Sequence, residues 1–310
     1  MSSTAEQLLA DQTLRLQALD PLLPPWVTVP DGLVLTATCE DEKVAGVLLR
    51  FTHPAGSPAQ MWSAAQVSEL VPVLGTTGPA GMHALLNAWR ARLPQLGLPQ
   101  VDSACVVSWP SRDAETGRAL LDHGFFPLSV IAVRSPPASP VRPVPAGLDV
   151  RRAGPRDLED CLRLAMAEQS YSALTGGAVA RAGAIALKRS LLQARLSSHE
   201  PIWLAELAGA VVGLMECGYA EVSPGTWIAT RLPPGRWGYV NCASVLPHAR
   251  GRGVGRVLAD RAHAVFDAAP TVGSYLYYNP PNPLSSVFWP RQGYRPLWTI
   301  WEARPVGALR

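Results

Sequence analysis

Hydrophobic and polar positions recur with two different periods in the second half of the chain. Apolar residues return every three to four positions in residues 155–169 and 178–196, and this spacing predicts two helices. Residues 202–207 and 210–219 are apolar, strand-like runs separated by a short Ala-Gly turn. A short turn between two such runs predicts a β-hairpin.

Strands and helices are predicted to alternate after this hairpin. The predicted elements are a strand at 239–246, a helix at 253–268, a strand at 272–278, a helix at 283–292 and a strand at 297–303. The second half therefore reads as two helices, a hairpin, two strand–helix pairs and a last strand.

A proline-rich segment separates this half from the first. Residues 135–147 contain five prolines and have no apolar periodicity, so they cannot continue a helix or a central strand. The segment is predicted to be a linker. It divides the chain into a domain at residues 1–134 and a domain at residues 148–310.

The two halves share a pattern that indicates an internal repeat. Residues 104–133 align without gaps against 273–302, strand against strand, and residues 73–86 align against 245–258. Identity is low, but hydrophobic positions and glycines coincide, so we interpret the halves as two copies of one fold. Chance similarity between two α/β units is the alternative.

Composition and charge exclude some classes of protein. No apolar run reaches eighteen residues, and the first residues are acidic, so we expect a cytoplasmic protein without a membrane segment. The five cysteines are scattered without metal-ligand spacing, so reduced thiols and no metal are expected.

The charge is distributed unevenly between the halves. Residues 1–145 hold 9 basic and 12 acidic side chains, whereas residues 146–310 hold 18 and 12. A basic half favours an anionic ligand, either a nucleotide or a nucleic acid. No helix-turn-helix or zinc-finger pattern is present, so nucleic acid is not expected as a partner.

A glycine- and arginine-rich segment follows the strand at 239–246 and opens the next helix. Glycines without side chains let backbone N–H groups approach a phosphate, and the helix N-terminus adds positive potential. This pattern predicts an anion site, although a tight strand-to-helix connection would also explain the glycines. The residues of the segment are Arg250, Gly251, Arg252, Gly253, Val254, Gly255 and Arg256.

Two motifs in this half resemble those of the GNAT acetyltransferase superfamily. The first is V-x-P-x-x-R-G-x-G-x-G-R at 245–256, and the second runs from Asn282 through Ser285 and Phe288-Trp289 to Gly293-Tyr294. The resemblance implies an α/β (α+β) fold of two tandem GNAT-like domains. Each would have a mixed, mostly antiparallel sheet flanked by helices, with a splayed strand pair that holds acetyl-CoA.

The resemblance also implies a function. An acetyl group would move from acetyl-CoA to a primary amine of a small molecule or peptide, by direct attack and without a metal. The pantetheine arm would run beside Ala243, Ser244, Val245 and Leu246, with a backbone N–H near Val245 polarising the thioester carbonyl. Asn282 would bind the pantetheine or, equally well, cap the helix that follows it. Ser285 and Trp289 complete the predicted cofactor site.

The catalytic acid and base are less well defined by the sequence. Trp289 stands where many members of the superfamily have a tyrosine that protonates the leaving thiolate, so Tyr278, Tyr277 or Tyr239 is expected to replace it. Glu216, in an apolar strand, is the candidate base, unless it is an outward-facing residue. Water held by Asn241 or Ser244 is the alternative base.

The first half is predicted to have lost the site. Gly78 and His83 align with Arg250 and Gly255 of the phosphate loop, although Gly81 aligns with Gly253. A non-catalytic acyl-CoA-binding module remains the main alternative to an enzyme, and the oligomeric state is expected to be a monomer or a homodimer.

Overall fold

The computed structural model describes residues 3–26, 28–135 and 143–310. Most of the predicted proline-rich linker, residues 136–142, lies outside the described residues. The described residues form seven α-helices and one sheet of eleven strands. Mixed parallel and antiparallel pairing, mostly antiparallel, agrees with the predicted α/β class.

The elements of the two halves are as follows. The first half contains α1 Ser3–Leu19, β1 Leu33–Cys39, β2 Glu42–Thr52, β3 Gln66–Val73, α2 Gly78–Leu96, β4 Ser103–Pro110, α3 Ala114–Asp122 and β5 Phe126–Arg134. The second half contains β6 Leu148–Arg152, α4 Leu158–Leu174, α5 Ala184–Ser197, β7 Ile202–Leu207, β8 Ala210–Val222, β9 Gly235–Val245, α6 Val254–Asp267, β10 Gly273–Tyr278, α7 Ser285–Arg291 and β11 Arg295–Ala303.

Every element predicted in the second half is present, with two differences. The strand β6 was not predicted, because a five-residue edge strand with alternating charges has little hydrophobic signal. The helix predicted from residue 178 begins instead at Ala184. The preceding residues bind the first half: the Val179 N–H donates to the Met61 carbonyl at 2.9 Å, and Arg181 forms a bidentate ion pair with Asp102.

The two predicted sheets are joined into one by an exchange of strands. The order across the sheet is β1-β2-β3-β4-β11-β5-β10-β9-β8-β7-β6. The last strand of the second half, β11, lies between β4 and β5, and β5 lies between β11 and β10. An alignment of the two halves cannot reveal this exchange, because it matches positions along the chain and does not show which strands are neighbours in the sheet.

Parallel pairing breaks at matching places in the two halves. Strands β3 and β4 pair as far as Leu70 opposite Val107, and β9 and β10 pair as far as Val240 opposite Leu276. Both β3 and β9 continue past the last pair. Each half therefore has a strand whose edge is left open beyond the break.

The alignment of the two glycine-containing loops is wrong in detail. The connection from β3 to α2 spans residues 74–77, whereas that from β9 to α6 spans residues 246–253. Gly81 therefore lies inside the first turn of α2, where a Cβ atom would meet Thr77 Oγ1 at 2.0 Å. Gly253 instead precedes α6 with a left-handed φ of 82°.

In the first half, helix α1 closes the gap beyond the break. The Gln12 side chain is fully buried; its Nε2 donates to the Pro72 carbonyl at 3.0 Å and its Oε1 accepts from the Leu74 N–H at 2.6 Å. The Arg15 guanidinium lies 5.7 Å from the ring centroid of Trp109 on β4. Helix α1 thus contacts both strands where they separate.

Helices cover the two faces of the second half of the sheet. Helix α6 lies very close to β9 because Gly238 has no side chain: a Cβ atom there would be 2.4 Å from the Phe266 ring. Leu276 and Tyr278 pack on this face. Because side chains alternate along a strand, Tyr275 and Tyr277 lie on the opposite face, which α4 and α5 cover over β7, β8 and β9.

Two further observations concern the whole described chain. None of its helices combines the length and the apolar character needed to cross a membrane. All five cysteines are free thiols.

We predict that Gln12→Ala lowers the free energy of unfolding by about 2–4 kcal/mol, because two buried backbone groups lose their partner. The measurement is chemical denaturation. Gln7→Ala is the matched control on the same helix: the Gln7 side chain is exposed and bonds only Asp11, so its effect should stay within about 0.5 kcal/mol. Equal effects of the two substitutions would contradict the role of Gln12.

Candidate active site

A β-bulge lies in β9 one residue beyond the break in pairing. Glu216 pairs with Cys242 and Cys217 pairs with Val240, so Asn241 is an extra residue in the β9 strand. A bulge bends the strand and increases its twist. The bend occurs where β9 and β10 separate.

The backbone of β9 offers unpaired groups along the gap. The Leu246 N–H donates to the Val212 carbonyl of β8 at 2.9 Å. Hydrogen-bonded and non-hydrogen-bonded pairs alternate in an antiparallel ladder, so Val245 and Ala243 direct their N–H and C=O groups away from β8, toward the gap. The Val245 carbonyl accepts from Arg250 Nε at 3.0 Å on that side.

This geometry corrects the expected roles of two neighbouring residues. Ser244 and Leu246 alternate with Val245, so their backbone groups face β8 and are used in the sheet. They cannot serve a ligand in the gap through their N–H groups. Ala243, which was not singled out as a donor, lies nearer the break than Val245 and has the same orientation.

The glycine-rich loop leads directly from the end of β9 to the N-terminus of α6. Gly251 and Gly253 have φ values of 75° and 82°, a region that residues with a Cβ atom rarely adopt. The first intrahelical bond is donated by the Val257 N–H to the Gly253 carbonyl. The N–H groups of Val254, Gly255 and Arg256 therefore point out of the helix end, as an anion site requires.

The three arginines of the loop are in different environments. Arg250 bonds the Val245 carbonyl and lies over the Tyr171 ring at 5.5 Å. Arg256 contacts Asp260 at 3.3 Å and donates to the Pro143 carbonyl at 2.7 Å. Arg252 is exposed and has no ion pair or hydrogen bond within the described ranges, so its guanidinium is available to a phosphate.

The second predicted motif forms the turn into α7. Asn282 Oδ1 accepts from the N–H groups of Leu284 and Ser285 at 3.0 and 3.3 Å. Of the two predicted roles for Asn282, capping is the one present here. Ser285 Oγ donates to the Asn279 and Asn282 carbonyls. Trp289 is 6 % exposed and packs edge-on against Tyr294.

Glu216 is the centre of a buried charge cluster. Its side chain is 1 % exposed, so the outward-facing alternative is wrong. Lys188 Nζ lies 2.8 Å from its carboxylate, Arg195 forms a second ion pair with it, and Asn241 Nδ2 donates to it at 2.8 Å. Burial opposes ionisation, but the charges of Lys188 and Arg195 outweigh it and hold the pKa of Glu216 below its usual value.

A carboxylate held in this way is a poor proton acceptor, because protonation would break two buried ion pairs. Glu216 instead holds the side chain of the bulge residue, Asn241. Its carboxylate accepts a hydrogen bond from Asn241 Nδ2 and so orients the side-chain amide. Because the carboxylate stays charged, this orientation is kept. The geometry therefore argues against Glu216 as the base.

Glu168 on α4 has the opposite character, and no pattern in the sequence pointed to it. Burial raises its pKa, and the Ser172 hydrogen bond and the Lys188 charge only partly oppose this. It accepts from Ser172 Oγ at 2.6 Å and has no ion pair among the described residues. Its charge also raises the pKa of Cys242, after burial, and α4 packs against Cys242 of β9. A partly buried carboxylate with a raised pKa is a typical general base.

The candidate acids lie on both faces of the sheet. Tyr278 is half-buried on the α6 face, and burial raises its pKa. Tyr239 stacks on Tyr275 with ring centroids 4.8 Å apart on the other face. Tyr277, on that same face, has a buried hydroxyl without a hydrogen-bond partner in the described chain. Burial raises the pKa of Tyr239 and Tyr277 as well.

The structure was compared with solved structures. It is similar to a GCN5-related N-acetyltransferase from Sphaerobacter thermophilus, with a TM-score of 0.55 and 15 % identity over 98 % of this chain and 93 % of that one. A GCN5-related N-acetyltransferase from Ralstonia eutropha JMP134 has a TM-score of 0.39 and 24 % identity over 48 % of this chain and 94 % of its own. One from Kribbella flavida has a TM-score of 0.43 and 14 % identity over 96 % of this chain and 94 % of its own.

No protein-family model matches the sequence, and no curated protein matches it. At these identities the similarity to the Sphaerobacter thermophilus protein shows the fold. The predicted GNAT fold is therefore confirmed.

We predict that this chain binds one acetyl-CoA, because of the two gaps in the described residues the first is covered by α1, whereas the β9–β10 gap is followed by a glycine-rich helix N-terminus. Gly253→Val should abolish binding in isothermal titration calorimetry, since a side chain would block the approach of the pyrophosphate. Gly209→Val is the control: Gly209 has a similar left-handed φ of 78° in an open hairpin turn, so it introduces comparable strain away from the loop.

If calorimetry shows two equivalent acetyl-CoA sites per chain, the prediction that the first half has lost its cofactor site is wrong. Retained affinity in a folded Gly253→Val protein would move the cofactor site elsewhere.

Proposed function

We propose that this chain, which has the fold of the GCN5-related N-acetyltransferases, transfers an acetyl group from acetyl-CoA to a primary amine. One observation carries the proposal. The open backbone edge of β9, beyond Val240, is followed by a 3₁₀ turn at Pro247–Ala249 and then by a glycine-rich helix N-terminus. An extended arm that ends in a pyrophosphate fits both parts at once.

The cofactor would occupy the gap as an added strand. The pantetheine amides would pair with the N–H and C=O groups of Ala243 and Val245, as a peptide adds to an open sheet edge. The pyrophosphate would lie on the N–H groups at the start of α6, with Arg252 supplying charge. Arg250 and Arg256 would join it after exchanging their present partners.

The reaction would proceed by direct attack. The amine nitrogen forms a bond to the thioester carbonyl carbon, and the carbon–sulfur bond breaks. The amine proton leaves to a base, and the departing thiolate takes a proton, so the products are an amide and CoA. The N–H of Ala243 or Val245 would stabilise the carbonyl oxygen as it gains negative charge.

Glu168 is the base that we favour, either directly or through a water held by Asn241. It lies on α4, which packs against β9 next to the bulge, and its raised pKa makes it a better proton acceptor than an ordinary carboxylate. Glu216 takes a structural role in place of the predicted catalytic one. Cys242 is buried with its pKa raised well above its usual value, which argues against a covalent acyl-cysteine intermediate.

We also propose that residues 1–134 and 148–310 are two copies of one domain. The order of strands and helices after the hairpin is the same in both, and pairing breaks at matching residues. The first copy would serve as a scaffold, since α1 fills its gap.

The test is a screen of small amines and peptides for release of free CoA from acetyl-CoA. Stimulation by at least one class of amine supports the enzyme. If acetyl-CoA binds but no acceptor raises release above hydrolysis, a non-catalytic acyl-CoA-binding module becomes the better interpretation.

We predict different outcomes for two glutamate substitutions. Glu168→Gln should lower kcat/KM by about 10²–10⁴-fold and remove the acid limb of the pH–rate profile. Since a raised pKa means that the ionised form is disfavoured in the folded protein, stability at neutral pH should be unchanged or slightly higher. Activity in the wild type should fall as the pH drops through that raised pKa.

Glu216→Gln should lower the free energy of unfolding by about 3–5 kcal/mol, because it leaves Lys188 and Arg195 buried without their partner. The pKa of Glu216 is depressed, so its contribution is present above the ordinary value of 4.5 and is lost as the pH falls through the depressed one. Thermal unfolding across pH 3–7 measures the difference; similar profiles for the two variants would contradict both roles.

We predict that one tyrosine replaces the missing acid. Tyr278→Phe, Tyr277→Phe and Tyr239→Phe are compared in the same assay, and the true acid should lose about 10²–10⁴-fold in turnover with acetyl-CoA affinity nearly unchanged. Trp289→Tyr should be neutral or mildly activating. Full activity in all three phenylalanine variants would mean that the thiolate leaves without an acid from this set.

A further inference from the structure

An exposed tryptophan lies beside the break in the sheet. Trp227 begins a short 3₁₀ turn, Trp227–Thr230, in the loop between β8 and β9, and it is 64 % exposed. Its ring centroid is 6.5 Å from that of Tyr277, with 31° between the planes. Tyr277 is the first residue of β10 beyond the last pair with β9. The two rings therefore stand where the acetyl group is proposed to arrive.

The spacing of these rings differs from that of the neighbouring stack. Tyr239 and Tyr275 are in direct contact, with centroids 4.8 Å apart and 20° between their planes. A planar group between two rings needs about 7–8 Å, twice the carbon–carbon contact distance. Trp227 is exposed and is not held in the core, so a small movement opens the pair to that distance.

One side of this ring pair offers an unused hydrogen-bond donor. The Tyr277 hydroxyl is buried without a partner among the described residues, and leaving such a group unpaired costs about 1–3 kcal/mol. A ligand atom that accepts this hydrogen bond would recover the cost. Tyr239, whose ring lies edge-on to Tyr277 at 6.3 Å, closes the inner side.

The charges around the pair do not suit a polycation. Glu216 is neutralised by Lys188 and Arg195, and Glu69 of the first half contacts Arg231 at 3.3 Å. Of the carboxylates described around the bulge, Glu168 has no ion pair. A single such carboxylate matches one ammonium group and not several.

We propose that the acceptor is a primary amine that carries a planar aromatic ring, which inserts between Trp227 and Tyr277 while its amine faces the thioester carbon, with Glu168 as its proton acceptor. The inference rests on the proposed function and names its substrate class. Stacking supplies the affinity, and the single carboxylate receives the single amine. The first half contributes a wall of the same cleft through Glu69.

The experiment compares three amines: phenethylamine, 2-cyclohexylethylamine, which has the same chain but a non-planar ring, and spermidine. Binding is measured by calorimetry on the full chain with CoA present, and CoA release from acetyl-CoA is measured in parallel. The wild type should bind phenethylamine about tenfold more tightly than cyclohexylethylamine, as expected for aromatic stacking.

Trp227→Leu should remove this preference, and Trp62→Leu should retain it. Trp62 is 43 % exposed in the corresponding loop between β2 and β3, so it is the matched control for losing a surface tryptophan. Equal binding of the two ring amines, tighter binding of spermidine, or an unchanged preference in Trp227→Leu would overturn the inference.

The two proposals fail in different ways. If acetyl-CoA does not bind, the proposed function fails whatever the amines do. If acetyl-CoA binds and cyclohexylethylamine or spermidine releases CoA as well as phenethylamine does, the acetyltransferase stands and only the aromatic acceptor is rejected.

Discussion

A strand edge that loses its partner leaves backbone N–H and C=O groups that must be satisfied, and the rest of this molecule depends on that constraint. Pairing between β9 and β10 stops at Val240 and Leu276 while β9 continues to Val245. In the first half the matching break is closed from within by the carboxamide of Gln12. The same backbone feature thus becomes a packing contact in one half and, in our proposal, the ligand-binding edge in the other.

The buried charge cluster makes sense as a consequence of the bulge. An extra residue in a strand has no fixed partner across the ladder, and Asn241 obtains one from the Glu216 carboxylate. Burying that carboxylate requires compensating charge, which Lys188 and Arg195 provide. The charge cluster therefore lies where β9 bends at its bulge. Beyond this bend β9 is separated from β10.

The sequence was sufficient for features that are local in the chain. The spacing of hydrophobic residues predicted the elements of the second half other than β6. The glycines next to arginines predicted the helix N-terminus that follows Gly253. It could not predict contacts between distant segments: the exchange of β5 and β11, the plug formed by Gln12, or the start of α5 at Ala184. The same limit explains why Glu216 was expected to be the base, because the sequence does not show that Lys188 and Arg195 of α5 pair with it.

Contacts between the halves show that the first half takes part in the structure around the β9–β10 gap. The loop before α5 is held on the first half by the Arg181–Asp102 pair, and Arg231, in the loop before β9, reaches Glu69 on β3. Both loops border the gap on the acceptor side. Because β11 and β5 are exchanged, the halves cannot separate without breaking the central strands of the sheet. Both halves therefore contribute to the proposed acceptor side, whereas the proposed cofactor edge belongs to the second half.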